Sequence, residues 1–82
     1  LFAFETERSV MMWMKNTYLS LDMIFIGRAG KVVGLAENTE PLSEKIITSG
    51  APAYGVLEVN AGTAARIGLR IGDSVRHPLF GE

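Results

Sequence analysis

The sequence predicts a mainly β fold, a small antiparallel sandwich or jelly-roll-like barrel with one short α-helix. Short apolar runs recur along the chain, most of them bounded by Gly, Pro, Asn or Asp residues, which is the pattern of short strands joined by turns. A single stretch, residues 63–67, carries helix-end signals, with Asn60 or Thr63 before it and Gly68 after it. All 82 residues are expected to form one domain, residues 1–82.

The apolar runs place six or seven strands in order along the chain. We expect them at residues 1–4, 9–16, 21–26, 31–36, 44–49, 54–60 and 74–76. Gly27 and Gly30 tolerate the backbone angles of a tight turn, so residues 27–30 predict a hairpin between the third and fourth strands. Residues 37–43 and 50–52 contain loop formers, and they predict the connections on either side of the fifth strand.

Composition narrows the classes of function. The net charge is −1 and the pI is about 5.8, so no basic footprint predicts a nucleic-acid partner. The chain has no Cys, which excludes disulfides and thiolate metal sites, and its one histidine, His77, offers little for a metal site or a catalytic triad. No apolar window approaches the roughly 18 residues of a membrane span. We therefore expect no metal, no cofactor and no membrane span.

Polar residues embedded in the apolar segment 12–26 are the main site candidates. If residues 17–20 form a four-residue hairpin loop, Lys15 lies opposite Asp22 on the adjacent strand and Asn16 adjoins the turn. A cross-strand pair of opposite charges contributes about 0.2–1 kcal/mol. This structural interpretation is favoured, because ion-pair networks often resemble functional sites.

The functional interpretation of the same residues is a pocket at one end of the barrel. Pockets combine apolar walls with a few convergent polar groups. The candidate ligand-binding residues are Trp13, Lys15, Asn16, Thr17, Asp22, Tyr54 and Glu58. No pair of nucleophile and base is evident, so no catalytic residue is predicted and an enzyme is not favoured. The sequence thus indicates a non-catalytic β domain of unknown function that binds a small polar ligand or a protein partner.

Two signatures resemble those of the uncharacterised bacterial and archaeal family called domain of unknown function 192. The first is the run of residues 13–17, followed by Leu21-Asp22 and Phe25-Ile26, and the second runs from residues 56–62 to Gly72-Asp73. The resemblance implies a β-sandwich or jelly-roll-like barrel and often an export signal, hence an exported or periplasmic protein. It implies no activity. Family members usually carry a further N-terminal segment, which we expect this chain to lack.

Two other resemblances concern residues 60–75. This segment is similar to the helix-and-turn element of PDZ peptide-binding domains, and residues 68–73 are similar to the Gly-Asp turn of swapped-hairpin transcription regulators. A regulator would need a basic DNA-facing surface. A peptide-binding role would be favoured by an exposed strand edge beside an apolar groove, because peptides add to sheets at such edges.

Overall fold

The computed structural model describes residues 2–76 and, at Glu5, the main chain alone, so Leu1 of the predicted first strand and His77 lie outside the described residues. The elements are β1 (Phe2–Met12), β2 (Leu21–Ile26), β3 (Val32–Ala36), β4 (Ile47–Asn60) and α1 (Thr63–Ile67). The strands form one antiparallel sheet in the order β1-β4-β2-β3. A mainly antiparallel β fold with one short helix is therefore confirmed, but the sheet is not closed into a barrel.

The hairpin of β2 and β3 and the helix α1 lie where the sequence predicts them. Gly30 adopts a φ of 80° and its N–H donates to the Gly27 carbonyl at 2.9 Å, closing the hairpin turn. Gly68 ends α1 in the left-handed conformation, with φ 68°. The predicted side-chain cap from Asn60 or Thr63 is wrong, because Gly62 occupies the N-cap position and makes no such bond. The predicted strand 74–76 is reduced to a single bridge between Lys31 and Ser74.

The predicted hairpin between residues 9–16 and 21–26 does not form. β1 ends at Met12, and β4 lies between β1 and β2 in the sheet. Residues 13–20 are consequently a long loop rather than a strand end and a four-residue turn. The apolar pattern places both strands in a sheet but does not specify their partners, and β4 offers two edges along which they both pair.

The predicted strands 44–49 and 54–60 are in fact parts of one strand, β4. The chain passes through Gly50, at φ 73°, and Pro52 without leaving the sheet. Ser49 supports this irregular stretch, since its Oγ accepts from the Val10 N–H at 3.0 Å and donates to the Ala51 carbonyl at 2.5 Å. The side-chain hydroxyl replaces ladder bonds that a glycine and a proline disturb.

The bend in β4 brings its first half close to β3. A Cβ built on Gly34 of β3 would overlap the main-chain oxygen of Ser49. β4 therefore pairs with β2 through residues 55–60 and with β1 through residues 47–56, while residue 49 packs over β3. Only glycine at position 34 permits this approach.

Two apolar clusters hold the fold together. The larger contains Val10, Met14, Met23, Phe25, Ala53 and Val56. The other contains Ile24, Ile26 and Val32, with Leu69 and Val75 from the chain after α1 packed against it. Successive residues of β2 thus serve opposite faces of the sheet, as strand geometry requires. No helix within residues 2–76 is long and apolar enough to cross a membrane.

Candidate functional site

Two long loops meet beyond one end of β2, and we call residues 13–20 and 37–46 together the loop end. Main-chain hydrogen bonds join them: the Met14 N–H donates to the Ser43 carbonyl at 3.2 Å, and the Leu42 N–H donates to the Thr17 carbonyl at 2.9 Å. Leu42 has a φ of 61°, a conformation that branched side chains seldom adopt. The loops are thus held in one arrangement rather than lying independently on the surface.

Thr39 fastens the second loop to the start of β2. It is buried, and its Oγ1 accepts from the Leu21 N–H at 3.0 Å and donates to the Leu21 carbonyl at 2.9 Å. The Ser20 hydroxyl donates to the Thr39 carbonyl at 2.7 Å. These bonds attach the loop end to the sheet. Its surface is therefore already ordered in the absence of a partner.

The loop end exposes a group of large apolar side chains. Its members and their exposed fractions are Trp13 50%, Tyr18 80%, Leu19 69%, Leu42 49% and Ile46 57%. The Lys15 ammonium lies 5.2 Å from the centroid of the Trp13 ring, within the range of a cation–π contact. Single exposed apolar residues are ordinary, so what distinguishes the loop end is that five of them lie on two loops joined by main-chain hydrogen bonds.

Asp22, in contrast, is fully buried and both its oxygens are engaged. Oδ1 accepts from the Asn38 N–H at 2.9 Å, and Oδ2 accepts from the Ala64 N–H at 2.9 Å. Burial raises the pKa of Asp22, but hydrogen bonds from main-chain N–H groups at Asn38 and residues 62–64 lower it by more, so the net pKa lies below 3.8. The carboxylate caps α1 from a distant strand and also anchors the loop at Asn38.

The predicted pairing of Lys15 with Asp22 is wrong. Asp22 is opposite Val59 in the ladder between β2 and β4, whereas Lys15 lies in an exposed turn beyond the end of β1. The prediction requires β1 and β2, which follow each other along the chain, to be neighbours in the sheet, whereas β4 lies between them. In the described part of the chain, main-chain N–H groups rather than a cation supply the partial charge that compensates the buried Asp22 carboxylate.

The structure brings together only part of the predicted ligand-binding set. Trp13, Lys15, Asn16 and Thr17 share the first loop of the loop end. Tyr54 lies at the opposite end of the β2–β4 ladder. It is five residues from Val59, the partner of Asp22, which is roughly 17 Å at about 3.4 Å per residue. There the Arg28 guanidinium lies 4.9 Å from the centroid of the Tyr54 ring.

Glu58 is half-buried and faces Met23 in the middle of the same ladder. It therefore joins neither end of the sheet. Residues 2–76 contain no group of three or more His, Asp or Glu side chains placed to hold a metal ion.

Four exposed apolar residues of the loop end were not predicted as site residues from the sequence, namely Tyr18, Leu19, Leu42 and Ile46. An available signal was the presence of large apolar residues inside segments rich in turn formers, where burial is not expected. Their exposure depends on how the two loops join. That arrangement involves residues far apart in the chain, so a local sequence pattern does not predict it.

The chain is similar to one protein family and to two solved structures. The family model of domain of unknown function 192, described as an uncharacterized ACR, matches residues 1–77. The chain therefore belongs to this family. Comparison with curated proteins gave no match.

Two solved structures are similar over most of the chain. A candidate transcription regulator from Sinorhizobium meliloti 1021 has a TM-score of 0.90 and 49% identity, covering 94% of this chain and 60% of its own. A protein of unknown function from Novosphingobium aromaticivorans DSM 12444 has a TM-score of 0.83 and 38% identity, covering 87% of this chain and 51% of its own. The chain thus spans about half to three fifths of these relatives.

Proposed function

We propose that this protein is a non-catalytic binding module whose loop end docks an apolar segment of a protein partner. The observation that carries the proposal is the group of exposed apolar side chains on two loops that hydrogen bonds hold in place. Trp13 and Tyr18 are residue types enriched among the few positions that dominate binding energy. A preorganised surface also loses less entropy on binding than mobile loops would.

The candidate residues divide between direct and indirect roles in this proposal. Trp13, Lys15, Asn16 and Thr17 lie on the docking surface, where the polar groups would orient a partner around the Trp13 anchor. Asp22 acts indirectly, because its oxygens are already engaged by Asn38 and Ala64. Binding of a small polar ligand at this end is less favoured, since the carboxylate that would accept from the ligand is buried.

The test uses the fact that Trp13 is the only Trp in the chain. An amphipathic synthetic peptide with Leu and Phe along one helical face is titrated while Trp13 emission is recorded, beside a scrambled peptide of the same composition. We expect a saturable blue shift with the amphipathic peptide alone, because occupation of the surface would remove water from the indole.

Matched variants locate the response. Tyr18→Ser and Leu42→Ser should abolish it, whereas Ile67→Ser and Ile71→Ser should leave it unchanged, because those two isoleucines are equally exposed but lie outside the loop end. Equal loss in both groups, or equal binding of the scrambled peptide, would exclude a specific docking surface here.

Transcription regulation is a second candidate function, favoured by the description of the Sinorhizobium relative. With a net charge of −1 the chain lacks an overall electrostatic attraction to DNA, so we infer that such a role would operate through protein contact. A mobility-shift titration with duplex DNA tests this. Tight, salt-dependent binding would replace protein docking with direct DNA recognition.

A further inference from the structure

β1 is an edge strand with an unusual irregularity in the middle. It pairs on one side with β4, and among residues 2–76 no strand pairs with its other side. Ala3 is opposite Gly55 and Arg8 is opposite Ala53, so residues 4–7 stand against the single residue Tyr54. Bulges of this kind occur at sheet edges and redirect side chains.

The bulge brings an arginine onto an aromatic ring. In a regular strand, Cα atoms four residues apart are roughly 13 Å from each other. Here the Arg8 guanidinium lies 4.5 Å from the centroid of the Phe4 ring. Stacking on a ring holds the guanidinium plane while its N–H edge remains suited to a carboxylate.

Two cavities flank this pair along β1. One, of about 310 Å³, is lined by Phe4, Arg8 and residues 9–12. The other, of about 350 Å³, is lined by Ala3, Phe4, Thr6 and Arg8. Apolar atoms predominate in the wall of the first cavity, whereas polar atoms predominate in that of the second. The first cavity is therefore suited to an aliphatic side chain, and Arg8, which lines both cavities, is suited to an anionic group beside it.

We propose that the outer edge of β1 accepts an extended peptide strand in which an acidic residue binds Arg8 and an apolar residue two positions away enters the cavity lined by residues 9–12. Side chains two apart lie on the same face of an extended strand. Main-chain hydrogen bonds to the edge would supply affinity, and that cavity with Arg8 would supply specificity. This site is independent of the loop end and goes beyond the docking function proposed above.

A peptide fits the geometry better than a nucleic acid does. The two cavities share a single cation, Arg8, whereas tracking a phosphate backbone needs several. Outside the bulge at residues 4–7, the strand edge also presents N–H and C=O groups, which match another peptide main chain. Because Arg8 is positively charged, the favoured peptide carries a negative charge at the residue that contacts it.

The experiment measures fluorescence polarisation of a labelled nonapeptide with a central Asp, valines two positions to either side and threonines elsewhere. Three comparison peptides carry Lys in place of Asp, Ala in place of both valines, or Pro beside the Asp to remove a main-chain donor. We expect saturable binding of the first peptide and strongly weakened binding of the other three.

Protein variants then locate the site. Arg8→Gln should weaken binding by roughly tenfold or more, because it removes a charge-assisted hydrogen bond. Arg66→Gln removes the same charge from the exposed surface of α1 and should leave binding unchanged. Trp13→Ser should also leave it unchanged, which separates this site from the loop end. Amide NMR spectra of each variant confirm that it is folded.

Several results would overturn the proposal. These are the absence of binding by the Asp peptide, equal binding of the Lys peptide, or equal weakening by Arg8→Gln and Arg66→Gln. Arg8-dependent binding of a single-stranded oligonucleotide would reassign the surface to nucleic acid. A concentration-dependent dimer that the Asp peptide fails to dissociate would mean that a second copy of the chain occupies the edge.

Discussion

The carboxylate of Asp22 caps the helix that contains Ala64, 42 positions further along the chain, through a buried hydrogen bond of 2.9 Å. The helix has no capping side chain of its own, since Gly62 is its N-cap residue. A single β2 side chain therefore joins the central sheet, α1 and, through the Asn38 N–H, the loop end. Integrity of the candidate docking surface depends on this structural carboxylate.

Replacing Asp22 should cost considerable stability. Asp22→Ala leaves the buried N–H of Ala64 and the N–H of Asn38 without their acceptor. At about 1–3 kcal/mol for each unsatisfied group, we expect a loss of roughly 2–6 kcal/mol in the free energy of unfolding. Glu40→Ala, which removes an exposed carboxylate, should change it by less than about 0.5 kcal/mol. Urea unfolding measures both. A tolerated Asp22→Ala would contradict the structural role.

Asp22 should also make stability depend on acid pH. Its folded-state pKa lies below 3.8, so its contribution is fully present above the unfolded-state pKa and is lost as pH falls through the folded-state pKa. The wild-type free energy of unfolding should therefore decrease below about pH 4 more steeply than that of Asp22→Asn. Parallel pH profiles for the two proteins would show that another group is responsible.

Lys15 and Asp22 should be energetically independent. Lys15 is exposed on the loop end and Asp22 is buried beneath α1. We expect Lys15→Ala alone to change the free energy of unfolding by less than about 0.5 kcal/mol. In a double-mutant cycle with Asp22→Asn, the coupling energy should be near zero, within about 0.3–0.5 kcal/mol. A coupling well above that value would restore the ion pair that the sequence suggested.

Gly34 should tolerate no larger residue. A Cβ at this position would overlap the Ser49 main-chain oxygen, so Gly34→Ala must displace β4 and should lower the free energy of unfolding by about 1–3 kcal/mol. Gly27→Ala is the matched control. Its Cβ would lie 3.1 Å from the Val33 side chain and 3.3 Å from that of Glu7, while the nearest main-chain atom, the Lys31 oxygen, is at 3.7 Å. A shift of those two side chains by a fraction of an ångström therefore accommodates it. Equal thermal melts for the two variants would contradict the close contact between β3 and β4.

Features with local causes could be predicted from the sequence. Gly30, at φ 80°, closes the turn of the β2–β3 hairpin, and Gly68, at φ 68°, ends α1, because turn and cap geometry depends on a few adjacent residues. Family membership followed from the same short signatures, and a model of that family matches residues 1–77. The mainly antiparallel β class followed from the repeated short apolar runs.

The pairing of distant segments could not be predicted from the sequence and is visible only in the folded chain. The insertion of β4 between β1 and β2, its passage through Gly50 and Pro52, and the capping of α1 by Asp22 all join residues far apart in the chain. An apolar strand pattern states that a strand has a buried face but not which neighbour lies beside it. For this reason the sequence identified Asp22 as a buried polar group that needed partners, and the fold supplied main-chain N–H groups where a lysine had been expected.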